Sequence, residues 1–174
     1  MFGTILVKPK EGLPKVDHEF YIGQHEVYAR PLAEVTGYLD LNFDSLQRKQ
    51  PAFVLFNGSA LGLMSGRLGA MKVKVDETVW IFMVNGGANL SSSLHLIGNV
   101  WRRCWPQGAL LNPPLKYVQT PPVPPGSCFV GELELPVPGT VKLVDHALTH
   151  VVRKGLRAEI RVEGLANPDI FKLF

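Results

Sequence analysis

In Met71-Lys72-Val73-Lys74-Val75-Asp76 apolar and polar side chains alternate without a break. A strand sends successive side chains to opposite faces, so Met71, Val73 and Val75 share a buried face and Lys72, Lys74 and Asp76 a solvated one. Gly139-Thr140-Val141-Lys142-Leu143-Val144 and Ala158-Glu159-Ile160-Arg161-Val162-Glu163 repeat the pattern. Val79 to Val84 is apolar throughout, which places it centrally in a sheet with both faces covered. Outward from these segments, strands are expected at 2–7, 18–29, 52–56, 70–75, 78–84, 92–97, 99–105, 115–120, 127–135, 139–144 and 156–163. Helix is confined to short pieces. These are 42–49, ending before Pro51; 147–154, closed by Gly155; and 167–171, with Asn167 as cap and Pro168 at the first helical position. The expected fold is all-β, a Greek-key β-sandwich from about residue 18 to 165 with one or two short helices. Residues 8–17 read as a linker, 30–51 as a polar excursion and 121–126 as a stiff turn.

Composition narrows the function classes. With 46% hydrophobic and 19% charged residues among 174, the chain can collapse on a core, which excludes disorder. Two cysteines cannot staple a chain of this length. The net charge of +3 is spread without a basic stripe, which argues against nucleic acid as partner. No apolar run reaches the roughly 18 residues of a membrane-spanning helix. Met1 to Val7 is apolar from the start and is followed by Lys8-Pro9-Lys10-Glu11-Gly12, the wrong order for a signal peptide. That opening strand is expected to pair with a distant strand or to continue something upstream.

Few residues carry chemistry. There is no Gly-x-Ser-x-Gly, and Cys104 and Cys128 lie in no local signature, so both are expected to pack as small apolar groups. Asn85-Gly86-Gly87-Ala88-Asn89 opens no helix and reads as a wide turn. A blue-copper site wants two His, a Cys and a weak axial Met, with Cys, His and Met close together on one loop. The next His after either cysteine is His146, and no Met follows Met83, so this chain cannot build that site alone. His18 and His25 are expected at the surface, on opposite faces of one strand. His95 is expected to end a strand with Ile97 on the same face, and His146 to follow one. His150 lies four residues beyond His146, a spacing that lets two imidazoles share a metal. A catalytic metal takes about three protein ligands, and the chain offers one or two convincing candidates.

Asn85-Gly86-Gly87-Ala88-Asn89-Leu90-Ser91-Ser92-Ser93-Leu94-His95-Leu96-Ile97-Gly98 resembles the second cupredoxin domain of copper-containing nitrite reductases. So do Leu143-Val144-Asp145-His146-Ala147-Leu148, Arg153-Lys154-Gly155 and Arg161-Val162-Glu163-Gly164, with Phe56-Asn57-Gly58 and Tyr117-Val118-Gln119-Thr120 in matching places. Residues 1–17 resemble the last strand and linker of the preceding cupredoxin domain, leaving 18–174 as the second, cupredoxin-like domain. The resemblance implies a ligand role for His146, completing a three-His catalytic (type 2) copper across a homotrimer interface. It implies that His95 relays a proton to bound nitrite, that Ile97 caps the copper, and that Met1 is the axial ligand of the blue (type 1) copper. It further implies nitrite reduction to nitric oxide, an electron donor that is a cupredoxin or cytochrome c, and a periplasmic or cell-surface location.

The family's remaining copper ligands and its active-site Asp belong to its first domain, whose positions have no counterpart here. The chain alone is therefore expected to be inactive, with the type 1 site absent. Three readings follow: a C-terminal part of such an enzyme; a non-catalytic cupredoxin-like interaction or trimerisation module; or a chain whose His146 and His150, with His95, hold an adventitious metal.

Overall fold

The three alternating segments come to lie side by side in one sheet of a two-sheet sandwich. The computed structural model describes residues 3–33 and 35–172. Among these the strands are β1 (His18–Val27), β2 (Ala29–Pro31), β3 (Leu39–Leu41), β4 (Phe53–Phe56), β5 (Met71–Lys74), β6 (Val79–Asn85) and β7 (Ser92–Ile97). They continue with β8 (Trp101–Pro106), β9 (Leu115–Val118), β10 (Pro122–Val123), β11 (Cys128–Leu133), β12 (Gly139–Asp145) and β13 (Arg157–Glu163). Two short helices, α1 (Phe43–Gln47) and α2 (Leu148–Lys154), interrupt them. A six-stranded sheet runs β4-β1-β6-β11-β8-β9 and faces a five-stranded sheet β10-β7-β12-β13-β5, while β2 and β3 form a small hairpin apart. The expected all-β sandwich is what forms.

The uniformly apolar segment is central, as expected: β6 lies between β1 and β11 and is buried along most of its length. Its odd positions, Val79, Ile81 and Met83, enter the core between the sheets with Ile22, Leu94, Leu96, Leu143 and Ile160. Its even positions, Trp80 and Phe82, join Trp105 and Val130 on the outer face, where Leu6, Leu13 and Val16 pack over them. Residues 3–17 are thus a strap across that face. Asp17 locks its end, donating N–H to the Thr78 carbonyl at 3.0 Å and accepting the Thr78 N–H on Oδ2 at 2.7 Å.

Several expectations need correction. The described residues of the opening strand, 3–7, join no ladder; Leu6 turns onto the aromatic face while Ile5 and Val7 stay exposed, because the segment has apolar support on one side only. Phe2 lies outside the described residues. The strand expected at 18–29 breaks after Val27, and Ala29 starts the hairpin. The 30–51 excursion holds that hairpin as well as α1. Pro122 and Val123 are a short edge strand on β7, not only a turn, since an edge position needs no proline N–H. The helix expected at 167–171 is only a turn: Ile170 and Phe171 both donate to the Asn167 carbonyl, and nothing continues the ladder. Neither His18 nor His25 is a simple surface residue. His18 Nε2 lies 2.8 Å from Glu77 Oε2, and the His25 ring is packed so closely over Gly86 that a Cβ there would lie 2.4 Å from its Cε1. Burial lowers the His25 pKa below the usual imidazole value.

Both cysteines are free, Cys104 in the core and Cys128 half-buried, and burial pushes both thiols up, as suits packing groups. The turn 86–90 that leads into β7 is held from below by Glu26. Its carboxylate accepts the backbone N–H groups of Asn89 at 3.1 Å and Leu90 at 2.6 Å, and the Tyr28 hydroxyl.

Gly131 on β11 is required by contact, not by dihedral freedom. A Cβ there would stand 2.2 Å from Cε3 of fully buried Trp101, whose ring meets Phe129 edge-on at 4.8 Å. Gly131→Ala should therefore cost about 1–3 kcal/mol, the usual range for overpacking, read as a lower denaturation midpoint with unchanged slope. Tyr28 supplies a second test. Burial first, then its bond to Glu26, pushes the Tyr28 pKa up to about 12. The folded state thus favours the neutral phenol, so this contribution is intact below about pH 10 and is lost as pH rises towards 12. An ultraviolet pH titration should show one tyrosine ionising well after the others, and Glu26→Gln should bring it forward.

Candidate functional site

β7 and β12 pair antiparallel with Asp145 opposite Leu94, Val144 opposite His95 and Lys142 opposite Ile97. The strand period then sorts the side chains: Leu94, Leu96 and Leu143 enter the core, and His95 and Ile97 leave on the other face. The ladder extends one step past β12, where the His146 N–H donates to the Ser93 carbonyl at 2.8 Å. That step brings the His146 imidazole against His95, ring centroids 4.9 Å apart and planes at 84°. His95 lies within β7 rather than at its end, since the strand runs on to Ile97.

His95 is half-buried and anchored from one side: Nδ1 lies 3.0 Å from Thr120 Oγ1 and 3.3 Å from the Gln119 carbonyl. With Nδ1–H donated there, Nε2 is the ring atom available for exchanging a proton. Ile97 is 44% exposed on the same face, and His146 is exposed. The structure thus brings His95 and His146 together, with Ile97 on the same face. Met1 lies outside the described residues.

Asp145, one residue before His146, is completely buried. Its Oδ1 accepts the N–H groups of Ser93 and Ala147, both at 3.0 Å, and its Oδ2 takes the His150 ring at Nδ1, 2.6 Å away. His150 has thus committed one ring nitrogen to Asp145 instead of offering both beside His146. Sequence reasoning assigned no role to Asp145, Thr120 or Gln119. The one available signal was Asp-His-Ala at a strand end, since an Asp there commonly accepts the N–H two residues on.

The two stacked sheets define a cupredoxin-like domain. Solved structures with this fold include a copper nitrite reductase from Nitrosomonas europaea, at TM-score 0.74 and 28% identity over 90% of this chain and 53% of that one. Another is a copper-containing nitrite reductase from Thermus scotoductus, at TM-score 0.73 and 25% identity over 88% and 32%. No family model matches the chain. Among sequence relatives, copper-containing nitrite reductases of Neisseria meningitidis serogroup B and Neisseria gonorrhoeae are 40% identical over 98% of this chain, and that of Cereibacter sphaeroides is 30% identical over 99%. The chain is a single cupredoxin-like domain homologous to copper-containing nitrite reductases. It spans 43% of the meningococcal relative and 49% of the Cereibacter one.

Those relatives are named for copper, and imidazole suits copper. Among the described residues, however, no group of three or more His, Cys, Asp or Glu could hold a metal ion. His146 is the one exposed imidazole, His95 has Nδ1 occupied, and His150 is turned to Asp145. Among the described residues these imidazoles do not by themselves make a complete metal site. No helix among them is long and apolar enough to cross a membrane.

Since His146 is exposed and its ring meets His95 in a T-shaped contact, His146→Ala should shift unfolding free energy by no more than about 0.5 kcal/mol. Chemical denaturation checks this, and a loss of several kcal/mol would make His146 a core residue instead.

Proposed function

We propose that residues 18–174 act as the second, C-terminal cupredoxin domain of a copper-dependent nitrite reductase that converts nitrite to nitric oxide, with 1–17 as the last strand and linker of a first such domain. The observation that carries this reading is the juxtaposition of His95 and His146, rings 4.9 Å apart, with Ile97 on the same face. His146 contributes one imidazole to a type 2 copper whose other ligands come from outside the described residues. His95, held at Nδ1 by Thr120 and Gln119, supplies or takes a proton at Nε2 beside the bound anion. Ile97 offers an apolar wall that limits how a small anion sits.

An exposed ligand that serves only when another polypeptide segment completes its site implies an interface, and a cyclic homotrimer supplies one. A periplasmic or cell-surface location and a small cupredoxin or cytochrome c as electron donor belong to the same reading.

The chain alone is expected to retain no stoichiometric copper and to form no nitric oxide from nitrite. Fused to the part of the Neisseria meningitidis relative that it does not match, it is expected to run as a trimer on a sizing column, bind copper and reduce nitrite. His146→Ala in that fusion should remove the type 2 copper signal, and His95→Ala should keep copper but lower turnover by about 100-fold or more. Nitrite reduction by the chain alone would overturn the shared-site reading. A folded trimeric fusion that binds no copper would favour a non-catalytic trimerisation module.

A further inference from the structure

The strongest unused feature is the buried carboxylate behind the site. Asp145 is 0% exposed, yet every bond it makes is directed at the few residues that set where His146 stands. Oδ1 takes the N–H of Ala147, one residue past His146, and the N–H of Ser93, whose carbonyl receives the His146 N–H at 2.8 Å. Ser93 is thereby gripped in both directions, on the strand that carries His95 two residues later. Oδ2 is held by His150 from the first turns of α2, so the carboxylate cannot rotate without giving up a 2.6 Å contact. α2 itself stops at Gly155, whose left-handed φ of 88° and N–H bond to the His150 carbonyl fix the far end of the same turn.

We propose that Asp145, braced by His150, is the positioning residue for His146: its Oδ1 pins β7 to the end of β12, and so sets the His95–His146 spacing. The inference rests on the reading of His146 as a functional imidazole, but it concerns only this chain's own contacts. Asp145 touches neither ring and no substrate; it acts through backbone N–H groups on both sides of His146. A fully buried carboxylate holding two backbone donors and one ring is costly to disturb, since each group left unsatisfied loses its partner away from water. Its role is separable from bulk packing because the atom that matters is Oδ1, an acceptor that an amide can also supply.

The test is a set of variants of the full chain, without added metal, read by the imidazole Cε1–Hε1 NMR peaks at about pH 8.5, where an ordinary imidazole of pKa about 6.5 is neutral. Peaks are assigned by single His substitutions, with His18 as the remote reference. Asp145→Asn keeps an acceptor at Oδ1, so the His146 and His95 peaks should stay within a line width of wild type. Asp145→Ala should move both by several line widths while His18 stays. If Asp145→Ala does not fold, the brace decides. His150→Ala should move the His146 peak, and His150→Gln, whose amide N–H can reach Oδ2, should return it. The proposal is overturned if folded Asp145→Ala leaves both peaks in place, if Asp145→Asn moves them as far as Asp145→Ala, or if His150→Ala leaves the His146 peak unmoved. Because no copper enters, these outcomes do not decide whether His146 binds copper. The metal content of the fusion protein decides that separately.

Discussion

The antiparallel ladder between β7 and β12 is where the sandwich and the candidate site meet. One register, Val144 opposite His95, sends Leu94, Leu96 and Leu143 into the core and His95 and Ile97 to the other face. A slip of one residue would exchange the two sets, burying imidazole and exposing leucine, so the hydrophobic core enforces the geometry of the site. The ladder ends in a buried carboxylate rather than in solvent. The step from β12 to α2 is therefore as well determined as the strands themselves.

On the other side of the molecule the same economy produces the opposite outcome. The outer face of the six-stranded sheet carries Trp80, Phe82, Trp105 and Val130, an aromatic cluster too large to leave to water. Residues 3–17 cover it with Leu6, Leu13 and Val16, and the Trp80 indole N–H finds Glu132 at 3.0 Å. Glu132 in turn faces Arg102 and Arg103 at 3.8 and 3.7 Å. The strap is thus part of the domain's own packing, whatever else it connects. Its own alternate residues, Ile5 and Val7, point outward and stay exposed.

How much of this was legible in the sequence depends on the range of the interaction. The strands at 71–74, 79–85, 139–145 and 157–163 followed from alternation or continuous apolarity, because burial imposes the period-two pattern directly. The grouping of His95, Ile97 and His146 was accessible through a resemblance in motif and order. The strand expected at 2–7 forms no ladder over its described residues, 3–7, because an apolar run says that a segment is buried on one side, and not whether a ladder partner exists. The 167–171 helix failed for want of length: a cap and a proline start one turn, and too little apolar surface follows to hold more. Asp145, Thr120 and His150 were invisible as a group, since their contacts join β7, β9–β10 and α2 across 25 to 52 residues or run back within one turn.

The distribution of burial at the site is itself informative. Asp145, proposed to set the geometry, is wholly enclosed, while His146 and Ile97, proposed to form the working face, are open to whatever lies beyond the sheet. A site complete within one domain would enclose its reactive groups, because exclusion of water strengthens every polar interaction there. In the proposed arrangement the support is built inside the chain and the working surface is left outside it. On the proposed reading that division is physical necessity: an imidazole shared across an interface must be exposed before assembly, and must already point the right way. Rigidity behind the ring then replaces the ordering entropy that the interface would otherwise have to overcome on closing.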